Sequence, residues 1–343
     1  MNKKISITVL LLLASLVSWG QISPLGIPFH RQYTPEEYKG SETNWSVASD
    51  DLGMMYFGNE GMILEYDGHE WRDIPVKDDN IQSLCNGSGN IYFGGSRSFG
   101  VIKTDALGNH YAFYLSERLG SNVEVNNIWK TYCIDKKIFF CSLKRIFIYD
   151  PKEDVIQMVE LPKNSFLAFV VNNQLVIGNW EQGLLKLTGN KVELAEGGGY
   201  FKKKDIFSVL PYDANRWLIA TNLDGLYLYY PNGGKAEVFE PTQEAKQTNK
   251  FLKDNNFYTG AIVNDSTYAL GTFGGTVIMN KQGRIVALIN KKYGLSSEET
   301  TGLMVRPSSP QSMQLWLTLV LGIANVDYPS VTAHFADESG LFG

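Results

Sequence analysis

A short β-hairpin unit that recurs seven times constrains this chain more than any other feature. Residues 53–68 hold the first copy. Residues 54–57 are a compact apolar and aromatic run, Asn59-Glu60-Gly61 has turn chemistry, and residues 62–66 form a second apolar run that stops at Asp67-Gly68. Such a hairpin cannot bury its faces alone, so each copy needs neighbours. The residue that ends the first run sets the register of the copies: Gly58, Gly94, Cys141, Gly178, Ala220, Gly271 and Thr318. The intervals average about 43 residues, within the roughly 40–50 residues of a four-stranded propeller blade.

Each copy opens with an alternating strand, at 45–49, 81–85, 128–134, 166–171, 206–211, 258–263 and 301–305, and closes with a weaker fourth strand, as at 70–74 and 156–161. The expected fold is all-β: a seven-bladed β-propeller of four-stranded antiparallel blades over residues 41–330, a ring with no long open edge. Two strands compete for the outermost place in the last blade, 29–33 and 331–335. The first, within an N-terminal segment 21–40, is expected to close the ring, because joining the chain's two ends removes an edge. Residues 331–343 are then an outer strand or the start of a truncated second propeller. Segment 241–256 is polar and expected to hold a helical turn, and 116–127 is the other long connection.

Asn2-Lys3-Lys4, an apolar run over 5–17 and Ser18-Trp19-Gly20 have the order of a secretory signal peptide, which places residues 1–20 in an expected leader and the mature chain in the periplasm or otherwise outside the cytoplasm. The run is about 13 residues, short of the roughly 20 needed for a span, and no other stretch approaches that length. The formal net charge of −5 becomes about −7 without Lys3 and Lys4. Lys202-Lys203-Lys204 is the single basic run and reads as a solvated turn, so no nucleic-acid partner is expected. Cys85, Cys133 and Cys141 are odd in number. A tight turn at 135–137 sets Cys133 opposite Phe139 or Phe140 rather than Cys141, which favours buried free thiols.

No catalytic constellation emerges. His30, His69, His110 and His334 are scattered without metal-ligand spacing, and Gly197-Gly198-Gly199 lacks the Lys-Ser/Thr of a phosphate loop. Asp78-Asp79 and Glu298-Glu299 read as solvated loop charges. No catalytic residue, metal or cofactor is expected. Propeller topology does put the start of every first strand and the turn inside every hairpin on one face, around a central channel, where ligands are commonly held. The candidate ligand-binding residues on that face are Trp45, Asn59, Glu60, Arg97, Lys144, Trp180, Glu181, Asn222, Asp224 and Phe273. Trp180 is a stacking platform for a sugar ring, or a packing contact with the next blade or with a second propeller.

Residues 45–59, Trp-Ser-Val-Ala-Ser-Asp-Asp-Leu-Gly-Met-Met-Tyr-Phe-Gly-Asn, and Leu315-Trp316-Leu317-Thr318 through Gly322-Ile323-Ala324 resemble the two-component regulator propeller repeats. These build the extracytoplasmic sensor region of hybrid sensor kinases and related regulators, abundant in Bacteroidetes. Tyr328-Pro329-Ser330 and residues 335–341 resemble that family's link into a second propeller. The resemblance implies a second propeller, a three-tyrosine β-sandwich, a homodimer partner and a cytoplasmic output in a full-length protein, so the chain is expected to be a fragment. Cys141, Ala220 and the apolar Leu319-Val320 depart from the repeat.

The function expected from these readings is a non-catalytic, exported propeller of a signal-transduction regulator that senses a small-molecule or glycan ligand, or docks a partner. An enzyme on the same fold, such as a polysaccharide lyase or lactone hydrolase, is the alternative, and would show carboxylates or histidines clustered at the channel mouth. A pure interaction scaffold would show a channel plugged by large side chains.

Overall fold

The computed structural model describes residues 27–28, 30–329 and 333–334. The expected leader at 1–20 and most of 331–343 lie outside the described residues. The chain forms an all-β propeller of four-stranded antiparallel blades. Four separate sheets follow one another in sequence and begin at Lys130–Ile134, Ser165–Val171, Ile206–Pro211 and Phe257–Asn264. A fifth combines Thr300–Ser309, Ser312–Leu319 and Ile323–Tyr328 with His30–Tyr33 from the other end of the chain. There His30 pairs with Val326 and Tyr33 with Ile323, so the N-terminal strand takes the outermost place. Ala333–His334 pairs instead with Ile27–Pro28 in a two-stranded ladder.

The remaining strands, from Ser46–Ser49 to His110–Tyr114, form one seven-stranded sheet rather than two separate ones. The cause is the 17-residue strand Trp71–Gly87. Its first part pairs with Glu60–Tyr66, from Tyr66 opposite Trp71 to Met62 opposite Pro75. Its second part pairs with Asn90–Gly95, from Ile81 opposite Gly95 to Gly87 opposite Asn90. The charged stretch between them stays extended. The buried Asp78 carboxylate holds it there, accepting the Arg97 backbone N–H at 2.6 Å and the Ser98 hydroxyl.

First strands lie side by side around the axis, each against the next, and Thr300–Ser309 returns to touch Ser46–Ser49. The apolar core is divided among the junctions between facing sheets. One cluster joins Phe169, Val176 and Leu184 to Ile206, Ile219 and Tyr229 of the following sheet, and another joins Tyr33, Trp316 and Ile323 to Phe57, Leu64 and Tyr66. Alternation along each strand supplies one set of side chains to each junction.

The polar segment before the sixth first strand contains a 12-residue helix, Gln243–Asp254, longer than a single turn. Thr242 caps it by accepting the Ala245 N–H. Its Asn249 side chain accepts the Leu226 N–H and donates to the Phe239 carbonyl, which pins the helix over the adjoining hairpin. Among the described residues the three cysteines are free thiols, and Cys133 faces Ile138, one place from the expected partner.

Burial pushes the phenols of Tyr38, Tyr92, Tyr227 and Tyr229 up to about 12 from the usual 10.0. A raised folded-state value means that the unfolded chain ionises first. Their contribution to stability is complete below pH 10 and is lost as the pH rises from there towards 12. A spectrophotometric titration is expected to show most phenolate absorbance appearing together with loss of the β-sheet circular dichroism signal. Full ionisation by pH 11 with the sheet signal intact would refute this.

Candidate functional site

The site is built where each first strand begins. In five of these strands a β-bulge near the start adds residues to the ladder: Gln82, Phe166 with Leu167, Phe207, Tyr258 and Thr301. A bulge re-aims the side chain it carries. Trp45 and Trp129 occupy the matching places, immediately ahead of the first paired residues Ser46 and Lys130. Trp45, Gln82, Trp129, Leu167, Tyr258 and Thr301 meet around a throat of only about 30 Å³. Phe166 and Phe207, 5.3 Å apart, continue the aromatic rim to Tyr258, 5.6 Å from Phe207, and Phe273 stacks on Tyr258 at 5.7 Å. Beyond the throat lies a channel of about 220 Å³ between the first strands, lined in part by Ser46, Ser83, Thr131 and Thr259.

Of the ten residues expected on this face, Trp45 lines the channel, and Phe273 joins the rim through Tyr258. Asn59 does not face the channel. It is fully buried, accepts the Ser41 N–H at 2.9 Å, and donates to the carbonyls of Ser41 and Thr43 and to Asn44 Oδ1. All its polar atoms tie the incoming segment to the first hairpin, so the side chain is a structural anchor. Glu60 is exposed on that same turn.

Arg97 lies outside the channel, on a second cavity of about 390 Å³, where it pairs with Asp79 at 3.2 Å. The charges there compensate one another, with Lys77 bound to Glu117 at 2.6 Å. Lys144 pairs with Glu124, Glu181 accepts from Asn164, Asn222 donates to the Phe257 carbonyl, and Asp224 lies 4.0 Å from Lys204. Trp180 stands 44% exposed on its hairpin tip, held by its backbone N–H on the Asn164 carbonyl.

The residues that sequence reasoning missed are Gln82, Trp129, Lys130, Phe166, Phe207, Tyr258 and Thr301. The bulges and the first paired residues place six of them at the position of Trp45, and five of the seven residues so placed are aromatic. Their distances from the repeated residue vary between 12 and 17 positions, so the sequence register alone does not align them.

The electrostatics of the channel are one-sided. Lys130 is the one charged residue among the described residues that line it. Burial pushes its amine below the usual lysine range, and no neighbouring charge opposes that shift. Among the described residues no three histidine, cysteine or carboxylate side chains converge as a metal cluster. His110 contacts the buried Glu65 at 2.5 Å, but this pair lies between the first two hairpin units, away from the channel. No helix among the described residues is long and apolar enough to cross a membrane.

No protein-family model and no curated protein sequence matches the chain. Solved structures do match its fold. The extracellular domain of the putative hybrid two component system BT4673 from B. thetaiotaomicron aligns with a TM-score of 0.66 at 14% identity, over 90% of this chain and 40% of that one. The corresponding domain of BT3049 from the same organism aligns with a TM-score of 0.64 at 15% identity, over 87% and 42%. The WD40 β-propeller domain of Doa1 aligns with a TM-score of 0.65 at 11% identity, over 89% of this chain and 100% of its own. This chain therefore spans about two fifths of the two extracellular domains, and what it shares with all three structures is the propeller fold.

Proposed function

We propose that the chain is a seven-bladed, non-catalytic sensing propeller of an extracytoplasmic signal-transduction regulator. It binds a small ligand at the aromatic rim and docks a partner with the face that carries that rim. The blade count rests on the core. One buried cluster, with Ala48, Tyr56 and Ile63 against Ile81, Leu84 and Phe93, lies between the two halves of the seven-stranded sheet as other clusters lie between separate sheets. Strand Trp71–Gly87 then serves two blades.

The observation that carries the functional reading is the composition of the channel face. The rim offers stacking surfaces and amide or hydroxyl groups, the chemistry that holds a neutral ring. No carboxylate or histidine joins it among the described residues. Four successive hairpin tips on the same face expose apolar side chains, Trp180, Leu223, Phe273 and Val320 with Leu321. Backbone bonds from Trp180, Asn222, Phe273 and Val320 tie each tip to the segment entering its own first strand, which fixes them on that face. A micromolar ligand supplies about 8 kcal/mol, ample to bias such a docking surface if one state binds it better. The resemblance of the repeats and the fold shared with extracellular domains of hybrid two-component systems support this setting. The narrow throat favours a second reading, a scaffold that docks proteins and senses nothing.

The test is a thermal-shift series of the purified chain against neutral and acidic oligosaccharides, repeated with Trp129→Ala and Tyr258→Ala. A glycan that raises the wild-type Tm by several degrees, with the response lost in both variants, supports sensing. Product release from the glycan would establish an enzyme instead, and no response to any glycan would leave the scaffold.

A further inference from the structure

The channel beneath the rim contains a cation that the protein leaves without a counter-charge. Lys130 opens the first strand of its sheet, opposite Cys141, and lines both the throat and the wider channel. No described residue accepts a hydrogen bond from its amine or pairs with it. The titratable groups beside it in the channel are the phenols of Tyr132 and Tyr258, both kept neutral by burial, and Tyr132 already donates to the Ala168 carbonyl at 3.0 Å.

Other polar groups around it are also unmatched. Trp45 Nε1, Ser46 Oγ and Gln82 Oε1 are buried and have no partner among the described residues. Three further hydroxyls of the wall are engaged: Ser83 and Thr131 bond each other at 2.7 Å, and Thr301 donates to the Asn44 carbonyl. The channel is thus lined by an ammonium, an indole N–H and a hydroxyl, together with a single amide oxygen. Buried polar groups are satisfied in nearly all folded proteins, so three orphaned atoms beside a half-buried ammonium with no counter-charge point to a missing partner. An oxyanion of one negative charge answers this set. It accepts from the indole and hydroxyl, neutralises the lysine and leaves the amide oxygen to take one of the ammonium protons. A dianion would exceed the one positive charge available. The channel volume of about 220 Å³ accommodates a group larger than a bare halide.

We propose that the channel is a carboxylate-binding site, in which Lys130 holds the acid group of a small free acid or of a larger acidic ligand stacked on the rim. The proposal rests on reading the rim and channel as the ligand site, and it adds the charge of the ligand.

The experiment measures Tm of the full chain at constant ionic strength, set with chloride, in acetate, glucuronate or glucose, for the wild type and for Lys130→Met. Acetate, glucuronate or both are expected to raise the wild-type Tm, glucose less than glucuronate, and the acid response is expected to weaken at least about tenfold in concentration in the variant. Without carboxylate, Lys130→Met is expected to be about as stable as the wild type, because it removes a half-buried charge that has no partner among the described residues. Acetate alone acting identifies a free acid, and glucuronate alone identifies the acid group of a rim-bound ligand. Equal shifts with glucose and glucuronate, or equal acid responses in wild type and variant, overturn the lysine's role and leave the rim reading intact. No response to either acid overturns the proposal. Should Lys130→Met fail to fold, acetylation of Lys130 by acetic anhydride, followed by peptide mass, gives the same answer: protection by acetate or glucuronate supports the site, and an unchanged rate with both refutes it.

Discussion

Replacing Tyr33 by alanine is expected to destabilise the fold by about 3–5 kcal/mol, among the largest single effects in the molecule. Tyr33 is 4% exposed on the outermost strand of the sheet that joins the chain's two ends. Its ring lies 5.2 Å from Tyr66 and 5.3 Å from Trp71, and stacks on Trp316 at 5.8 Å. Its hydroxyl contacts that of Tyr66 at 3.3 Å. Deleting the ring therefore opens a void in an aromatic cluster formed from both ends of the chain, and loosens the strand that covers the edge of Ile323–Tyr328. Arg31→Ala, two residues earlier and exposed, removes a cation–π contact 4.7 Å from the Tyr33 ring and should change stability by less than about 1 kcal/mol. Urea unfolding of both variants checks the pair. The Tyr33→Ala protein is also expected to aggregate near its midpoint, since the freed edge can pair with another chain. If both variants unfold at the wild-type midpoint, the terminal strand does not hold the ring shut.

The sequence exposes the fold because the blade is a local object. Period-two apolar runs, glycine-rich turns and a steady interval lie within some forty residues of one another, so residues 54–66 or 268–279 can be read without tertiary information. What escapes is decided by distant partners. The stretch 76–80, Val-Lys-Asp-Asp-Asn, has the composition of a loop, yet stays extended because Asp78 is bound by residues almost twenty positions later. Asn59 has turn chemistry and is expected on the channel face. It is buried because its amide bonds the backbone of Ser41 and Thr43 in the incoming segment. The rim is harder to see. A bulge breaks the alternation that separates core from surface, so Phe207 and Tyr258 read as ordinary strand residues although they gather with Trp45 and Trp129 around the throat. Lys130 carries no sequence signal, since its importance lies in the absence of an acid from six other strands.

Gly58→Val and Gly94→Val are each expected to destabilise by about 3 kcal/mol or more, whereas Gly178→Ala at the aligned position should be neutral or stabilising by up to about 1 kcal/mol. The repeated glycine looks like turn chemistry in the sequence, but the residue ends a strand, as in Met55–Gly58, and its role is clearance. A Cβ on Gly58 would lie 2.2 Å from the Ile81 carbonyl oxygen and 2.5 Å from Ser46 Oγ. On Gly94 it would lie 2.3 Å from Ile128 Cγ2 and 2.6 Å from Ser83 Oγ. In both cases the obstruction includes the first strand of the following unit, a backbone or β-branched group that cannot swing aside without parting the junction. On Gly178 the nearest atom, Ile206 Cβ, is 3.5 Å away, an ordinary contact. The same reasoning accounts for Cys141, Ala220 and Thr318 at the corresponding places, all nine-tenths buried or more and all accommodated. Glycine is thus set by how closely the next first strand approaches, not by the hairpin it precedes. Urea midpoints of the three variants decide the matter. Comparable losses at all three positions would return the glycine to a turn role, and no loss at Gly58 or Gly94 would mean that the first strands stand further apart than these distances require.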